Sequence, residues 1–140
     1  MPPMNYLAID YGTKRIGIAV ATTPIAQPIG IIPNTKNPHL RDVVTDQALE
    51  QIRGMIVEFS IEKILVGISE GEMADKTRIF IERLRALTDL PIEEVDETLT
   101  SVEAGGRMVH MKKASRRGNR DHLAAAIFLQ DYIDLHEQVI

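Results

Sequence analysis

The sequence predicts an α/β fold in which helices flank a five-stranded mixed sheet. Three short apolar runs follow one another near the start of the chain, and two more come later, separated by stretches with helical spacing. Three consecutive strands followed by alternating helices and strands indicate an antiparallel part that continues into a parallel part. The 140 residues, 44% of them hydrophobic, suffice for one core, so we expect a single domain over residues 1–140.

The five predicted strands are short and bounded by turn residues. Residues 5–10 and 15–21 are predicted to form two strands joined by a tight turn. Residues 28–33 begin and end with proline, which is typical of an edge strand. Residues 63–68 form a buried strand, and residues 91–95 form the fifth. We expect the first strand in the middle of the sheet, beside the strand at 63–68.

Four helices are predicted from periodicity and capping signals. Apolar residues recur at helical spacing from about residue 40 to 59, and residues 73–88 form an amphipathic helix. A capping box at Thr100 and Glu103 opens a helix that ends near residue 111, and Asp121 begins the last helix. This order of strands and helices is that of a ribonuclease H-like fold.

Composition narrows the classes of function. The chain has no cysteine, which excludes disulfides, thiolate nucleophiles and zinc–thiolate sites. The first residues lack the features of a signal peptide, and no apolar run approaches the length of a membrane span. We therefore expect a cytoplasmic protein without membrane association. The net charge of −4 argues against a generally basic nucleic-acid binder, although it leaves room for a local basic patch.

Carboxylates stand where strands and helices meet. Asp10 ends the first strand, Asp96 and Glu97 follow the fifth, and Asp121 opens the last helix. Acidic side chains brought together from distant positions repel one another unless a cation neutralises them. A hard divalent cation such as Mg²⁺ would do so, and two such ions about 4 Å apart could clamp the attacking and leaving oxygens of a phosphodiester.

Each of these acids also has a structural interpretation. Asp10 is an ordinary turn residue, Asp96 could simply end a strand, and Asp121 could cap the final helix and meet its dipole. Glu70 resembles a solvated turn residue, yet it follows the fourth strand and is therefore a competing ligand. The four histidines show no metal-ligand spacing and are expected at the surface: His39, His110, His122 and His136.

A basic segment precedes Asp121. Residues 112–120 contain five cations and no acid: Lys112, Lys113, Arg116, Arg117 and Arg120. Charge runs are often only solvated, but this position favours contacts with backbone phosphates, which give affinity without reading sequence. Lys14 in the first turn is assigned to the same nucleic-acid interface.

Four segments resemble the RuvX (YqgF) family, whose members are related to Holliday junction resolvases. They are IDYGTKRIGIAV, ILVGI, VDETLTSVEA and RDHLAAAIFLQDYI, and in order they cover essentially the whole chain. The resemblance implies a ribonuclease H-like fold and a nuclease for the 5′ end of precursor 16S rRNA. It also implies an Mg²⁺- or Mn²⁺-dependent phosphodiesterase acting in ribosome maturation.

The family's motifs carry over to three residues. Asp10 matches the first-strand aspartate, Glu97 the glutamate of the DE-x-x-T/S segment, and Asp121 the final-helix aspartate. Gly12 would let the chain turn sharply beside Asp10, and Gly17 would allow a close approach. One departure concerns the loop after VG, where many members carry Leu-Pro and a polar Asp-Gly loop but this chain has ISEGEMAD. The way in which the substrate binds is therefore not predicted by the resemblance.

The sequence and the resemblance leave three candidate functions. One is the rRNA-processing nuclease, acting as a monomer or homodimer on precursor rRNA. Another is a resolvase with the same chemistry on branched DNA, which would ordinarily need a dimer to place two cuts symmetrically. The third is a protein whose acids do not catalyse, either a nucleic-acid-binding module or an actin-like nucleotide binder. The single domain disfavours an actin-like ATPase, which encloses its nucleotide between two domains.

Overall fold

The computed structural model of the chain describes residues 4–34, 44–69, 71–96 and 120–137. At residues 120–122 and 137 it describes the backbone alone. The helix predicted for residues 100–111 and most of the basic segment lie outside the described residues. The described part contains one sheet and three helices.

The sheet has five strands in the order β3-β2-β1-β4-β5. The strands are β1 (Tyr6–Asp10), β2 (Arg15–Ala21), β3 (Gln27–Pro33), β4 (Lys63–Ile68) and β5 (Ile92–Asp96). The pairs β1–β2 and β2–β3 are antiparallel, whereas β1–β4 and β4–β5 are parallel. The prediction of a central first strand that neighbours the strand at 63–68 is confirmed, as is the edge position of the proline-bounded strand.

The helices are α1 (Asp46–Glu58), α2 (Glu72–Leu87) and α3 (Arg120–Glu137). The start predicted for the first helix, near residue 40, is wrong. Thr45 is the N-cap of α1, and its hydroxyl accepts a hydrogen bond from the backbone N–H of Ala48 at 3.0 Å. Val44, whose spacing fitted the helical pattern, lies before the cap and is buried in the core.

Helices cover both faces of the sheet, and the alternation of β1 divides the core between them. Leu7 and Ile9 belong to a cluster on one face with residues of α1 and α2 such as Ile52 and Phe80. Tyr6 and Ala8 point the other way and join the buried residues of α3: Ala125, Phe128, Leu129, Tyr132 and Ile133. The central strand is therefore buried on both sides.

Helix α3 runs back along β1 in the opposite direction. Tyr132, near its C-terminus, packs edge-on against Tyr6 at the start of β1, with ring centroids 5.6 Å apart. The buried residues that precede Tyr132 continue along the same face. Eleven residues of helix span about 16 Å and the four steps of β1 about 13 Å, so the first turn of α3 lies towards the C-terminal end of β1.

A polar cluster of Lys63, Glu93 and Tyr132 fastens the C-terminal half of α3 to the starts of β4 and β5. The Lys63 Nζ lies 2.6 Å from the Glu93 Oε1 and donates to the Tyr132 hydroxyl at 2.9 Å. The Tyr132 hydroxyl in turn donates to the Glu93 Oε1 at 2.9 Å. We call this group the Lys63–Glu93–Tyr132 cluster.

The ion pair shifts the pKa of both of its members. Burial alone would raise the pKa of Glu93, but hydrogen bonds from Lys63 and Tyr132 and the charge of Lys63 bring it below its ordinary value. Burial would lower the pKa of Lys63, yet its bonds to Glu93 and Tyr132 and their charges raise it. Both groups are therefore held in their charged forms.

Asn34 ties the turn after β1 to the start of α1. Its side chain is buried, and its amide Nδ2 donates to the carbonyl of Gly12 at 3.1 Å. Its backbone N–H donates to the carbonyl of Lys14 at 2.8 Å. Its Oδ1 accepts from the backbone N–H of Thr45 at 3.0 Å. One amide thus joins the β1–β2 turn, the end of β3 and the cap of α1.

We expect Asn34→Ala to lower the free energy of unfolding by about 2 kcal/mol, because the partly buried Gly12 carbonyl and Thr45 N–H lose their hydrogen-bond partner. Thr45→Ala, which removes only the cap hydroxyl, should cost about 1 kcal/mol. Urea denaturation measures both variants. A loss below about 0.5 kcal/mol for Asn34→Ala, as for an ordinary surface change, would contradict the structural role given to the amide.

The second prediction of the fold concerns pH. A carboxylate whose pKa is lowered by folding stabilises the protein above its ordinary value of 4.5, and that stability is lost as the pH falls through the lowered value. Because Glu93 is partly exposed, we expect Glu93→Gln to cost no more than about 1 kcal/mol at pH 7. In urea denaturation the difference from wild type should shrink as the pH falls below 4.5. A difference that is constant with pH would show that the ion pair adds no stability.

Candidate functional site

Asp10 is the last residue of the central strand. It is half-buried, and it follows Tyr6 and Ala8 in the alternation of β1. Its side chain therefore belongs to the face of the sheet that α3 covers, at the edge where the parallel strands β4 and β5 also end. The predicted position of Asp10 at the end of a central strand is what the structure shows.

Glycines flank Asp10 on both neighbouring strands. Gly17 of β2 is its direct cross-strand partner. On β4, Gly67 follows Val66, which pairs with Ile9, so it occupies the corresponding place on the other side. Both glycines are buried. Because neither glycine has a Cβ, these two positions place no side chain beside Asp10, and another group can approach the sheet closely there.

The turn after Asp10 requires a glycine. A Cβ built on Gly12 would lie 2.4 Å from the backbone oxygen of Arg15, a distance at which the backbone would have to move. The expectation that Gly12 allows a sharp turn is confirmed. Lys14 in the same turn is exposed, close along the chain to Asp10. The turn therefore presents a cation at the surface near the half-buried carboxylate.

Asp121 belongs by its backbone to α3, the helix that covers the same face of the sheet. It is the second residue of α3, so it falls in the first turn of the helix and does not precede it. Tyr132 packs on Tyr6 at the start of β1, and the helix of about 16 Å between Tyr132 and Asp121 is long enough to reach the other end of that strand. The topology thus brings the backbone of Asp121 towards Asp10 although 110 positions of sequence separate them.

Asp96 lies on the other face of the sheet. It is the last residue of β5, one position inside a strand that was predicted to end before it. It pairs with Ile68, which belongs to the core under α1 and α2, and its side chain is exposed. The strand register therefore does not bring Asp96 onto the face that carries Asp10.

A cavity of about 500 Å³ opens on the Asp96 face, where β4 and β5 end against the start of α2. Its only cation among the described lining residues is Arg78, whose Nε lies 3.6 Å from the Glu94 Oε1. The described lining comprises Ile68, Ser69, Gly71, Ala74, Asp75, Arg78, Glu94 and Asp96. Its mostly acidic charge is unlike that of a phosphate-binding pocket.

Several predicted site residues lie outside the described residues: Glu70, Glu97, Lys112, Lys113, Arg116 and Arg117. Arg120 and Asp121 are described by their backbone only. Within the described ranges, no three His, Cys, Asp or Glu side chains are grouped so that they could hold a metal ion. The half-buried carboxylate of Asp10 is chemically suited to a hard cation such as Mg²⁺, which takes oxygen ligands.

Two structural features that position the elements around the site were not anticipated from the sequence. Asn34 falls in a segment that resembles an ordinary loop, and its partners Gly12 and Thr45 are far from it along the chain. The Lys63–Glu93–Tyr132 cluster joins three elements at the start of the parallel strands. No local pattern marks either group, because each depends on which strands and helices become neighbours.

Known proteins are similar to this chain in sequence. The family described as "RuvX: Holliday junction resolvase" matches residues 4–135. A protein of Halothermothrix orenii named "Putative pre-16S rRNA nuclease" is 32% identical, over 97% of this chain and 99% of its own. A protein of Chlorobium phaeobacteroides with the same name is 37% identical, over 96% of this chain and 94% of its own.

Solved structures support the fold. The chain is similar to Thermus thermophilus RuvC in complex with a Holliday junction substrate, with a TM-score of 0.58, 14% identity and 96% of each chain covered. It is also similar to the yeast mitochondrial Holliday junction resolvase Ydc2, with a TM-score of 0.56, 13% identity, and 99% of this chain and 87% of the other covered. These similarities concern the fold, and they confirm the predicted ribonuclease H-like architecture.

None of the helices within the described ranges is long and apolar enough to span a membrane.

The family match extends from the start of the described sheet almost to the end of α3, and relatives above 30% identity align over nearly their full lengths. The chain therefore belongs to the RuvX family.

Proposed function

We propose that this protein is a metal-dependent nuclease that hydrolyses phosphodiester bonds in nucleic acid. The observation that carries the proposal is the place of Asp10, at the end of the central strand, flanked by glycines and on the face where α3 begins. Membership of a family described as a resolvase, with relatives named as rRNA nucleases, supports the same class of reaction.

Precursor 16S rRNA is the substrate that we propose first, with processing at its 5′ end during ribosome maturation in the cytoplasm. The full-length relatives at 30–37% identity share a name that specifies this RNA. Branched DNA is the second candidate, favoured by the family description and by the resolvase structures that share the fold. That activity would call for a dimer with two symmetric sites, whereas a monomer could process an RNA end.

Asp10, Glu97 and Asp121 are the carboxylates that we propose as ligands of Mg²⁺ or Mn²⁺. Bound there, the metal would polarise the phosphate, activate water and stabilise the charge that develops on the leaving oxygen. Glu70 is the competing second ligand because it follows β4 at the same edge. Asp96 is a weaker candidate, since it pairs with Ile68 on the opposite face.

The protein's own contribution is to hold Asp10 and admit the substrate. Gly12 and Asn34 fix the turn that follows Asp10, so the carboxylate is placed before any ligand arrives. Gly17 and Gly67 keep the neighbouring strands free of side chains at that point. Lys14 and the basic segment before α3 would bind backbone phosphates, which positions a strand of nucleic acid without reading its sequence.

We expect Asp10→Asn to abolish cleavage while the protein stays folded, because the change removes a charge and keeps the shape of the side chain. Adding Glu97→Gln to Asp10→Asn should cost little more, since residues that act as a unit are not additive. The assay incubates purified protein with precursor rRNA and, in parallel, a synthetic four-way junction, each with Mg²⁺, Mn²⁺ or a chelator. Circular dichroism checks the fold.

The matched control is Asp96→Asn, which makes the same chemical change beside Glu97 in the sequence. Because Asp96 lies on the face of the sheet opposite to Asp10, this variant should retain activity. Glu70→Gln tests the competing ligand. If Glu70→Gln eliminates cleavage while Glu97→Gln has no effect, the second carboxylate is wrongly assigned. If wild type binds RNA but cleaves neither substrate with either metal, the protein is a binding module.

The basic segment yields a separate prediction. Replacing Arg116, Arg117 and Arg120 by Ala should weaken RNA binding and flatten its salt dependence, because each lost phosphate contact reduces the slope of log K against log salt by about one. Fluorescence anisotropy at several salt concentrations measures this slope. Unchanged affinity at low and at high salt would show that the segment is merely solvated.

A further inference from the structure

Helix α3 is fastened at its C-terminal half by polar contacts on two sides. On one side, Tyr132 bonds to Lys63 and Glu93 at the starts of β4 and β5. On the other, the Gln130 Oε1 accepts from the backbone N–H of Ala26 at 2.8 Å, and its Nε2 donates to the carbonyl of Pro24 at 3.0 Å. The two contacts link one helix to the parallel half of the sheet and to the β2–β3 connection.

These contacts control rotation of the helix about its own axis. Residues two positions apart in an α-helix differ by about 200° around its axis. Gln130 and Tyr132 therefore project from nearly opposite sides of α3. A helix held only by apolar packing can rotate slightly at low cost, since burial is non-directional. Hydrogen bonds from opposite sides resist such rotation, because turning the helix stretches both sets of bonds.

The surroundings of Tyr132 reinforce its position. Its ring packs on Tyr6, stacks on His136 with centroids 3.9 Å apart, and lies under the Lys63 Nζ at 5.4 Å. Most of this contact belongs to the ring, whereas the bonds to the two charged groups belong to the hydroxyl. Removing the hydroxyl alone would therefore leave the packing and release the restraint on that side of the helix, so that only the Gln130 bonds resist rotation.

Rotation of α3 at its C-terminal half would also move the side chains of its first turn. A rigid helix turns as one body, and a group about 6 Å from the axis moves by about 2 Å when the helix turns by about 20°. Ligands of a hard cation must lie within about 0.2 Å of their ideal distances. The first turn of α3, which contains Asp121, therefore depends on the restraint about 16 Å away.

We propose that Tyr132 is a positioning residue, which fixes the rotation of α3 through Lys63 and Glu93 and thereby places Asp121 relative to Asp10. The role at the metal site rests on the proposed function, while the restraint on the helix does not. Tyr132 lies at the starts of the parallel strands, the end of the sheet opposite to Asp10, so it does not touch the reacting atoms.

The test variant is Tyr132→Phe, compared with Thr77→Val. Thr77 is buried under the opposite face, and its hydroxyl donates to the Met73 carbonyl at 2.7 Å, so this variant also loses one buried hydroxyl. Two readouts are made on the full chain. One is the Mg²⁺ concentration that gives half-maximal cleavage, and the other is a distance between two spin labels.

The labels are attached at Arg15→Cys and Ala124→Cys, which is possible because the chain has no native cysteine. We expect Tyr132→Phe to shift the distance by about 2 Å or to broaden its distribution, and Thr77→Val to leave it unchanged. The half-maximal Mg²⁺ concentration should rise about 10-fold in Tyr132→Phe, the low end of the effect seen when a group that orients a metal ligand is lost. At saturating Mg²⁺, kcat should return to the wild-type value.

An exchange of charges provides a rescue. Lys63→Glu alone should reproduce the effects of Tyr132→Phe, because two carboxylates then face each other. Combining it with Glu93→Lys should restore both readouts towards wild type. Failure of the double variant to restore either readout would contradict the role of the ion pair in holding the tyrosine.

Each remaining outcome is decisive. An unchanged label distance in Tyr132→Phe overturns the proposal. A changed distance with unchanged Mg²⁺ dependence shows that the restraint does not reach the site. If wild type itself neither binds metal nor cleaves, the proposed function fails together with the role of Tyr132 at that site, and the label distance still decides whether the hydroxyl holds the helix.

Discussion

The pairing of β1 with β2 on one side and β4 on the other is the constraint on which the rest of the structure depends. It buries the central strand within the sheet, and α1, α2 and α3 bury both of its faces. A strand buried in this way must be apolar until the sheet ends, so its first acidic residue, Asp10, stands at the edge. The parallel strands β4 and β5 end at that edge, and α3 runs back towards it.

Two polar arrangements away from the edge support this geometry. Asn34 fixes the turn behind Asp10 through buried hydrogen bonds, and the Lys63–Glu93–Tyr132 cluster fixes the helix that carries Asp121. The Asn34 bonds contribute about 2 kcal/mol and the Glu93 charge no more than about 1 kcal/mol, a useful fraction of the roughly 5–15 kcal/mol that keeps a domain folded. Their directionality matters more than their magnitude, because apolar packing does not select one rotation of a helix or one path of a turn.

The strands were predictable from the sequence because their limits are set locally. Prolines bound β3, and glycines and charges bound the others, so the limits of the strands follow from neighbouring residues. The central place of β1 follows from the order of the elements along the chain. The start of α1 does not, because the periodicity of Val44 continues past the point where the Thr45 cap begins the helix. Periodicity reports burial, and a buried residue outside a helix can keep the same spacing.

The candidate site was predictable in part for the same reason. Asp10 and Gly12 are two positions apart at the end of β1, so their places in the structure follow from neighbouring residues. The face occupied by Asp96 could not be inferred, since it depends on the register of β5 against β4, which is set by pairing with Ile68. Asn34 and Tyr132 act through partners far away along the chain, and only the assembled sheet brings those partners together.

The proposed metal site consists of Asp10, Glu97 and Asp121, which together would bind a hard cation. Titration calorimetry of Mg²⁺ into the purified protein, in two buffers with different enthalpies of ionisation, tests it most directly because it counts the protons released on binding. Neighbouring carboxylates repel, so at least one should retain a proton until the metal displaces it. We expect proton release when wild type binds Mg²⁺, and weaker binding with less release in Asp10→Asn. Equal Mg²⁺ binding by the two proteins, without proton release, would contradict it.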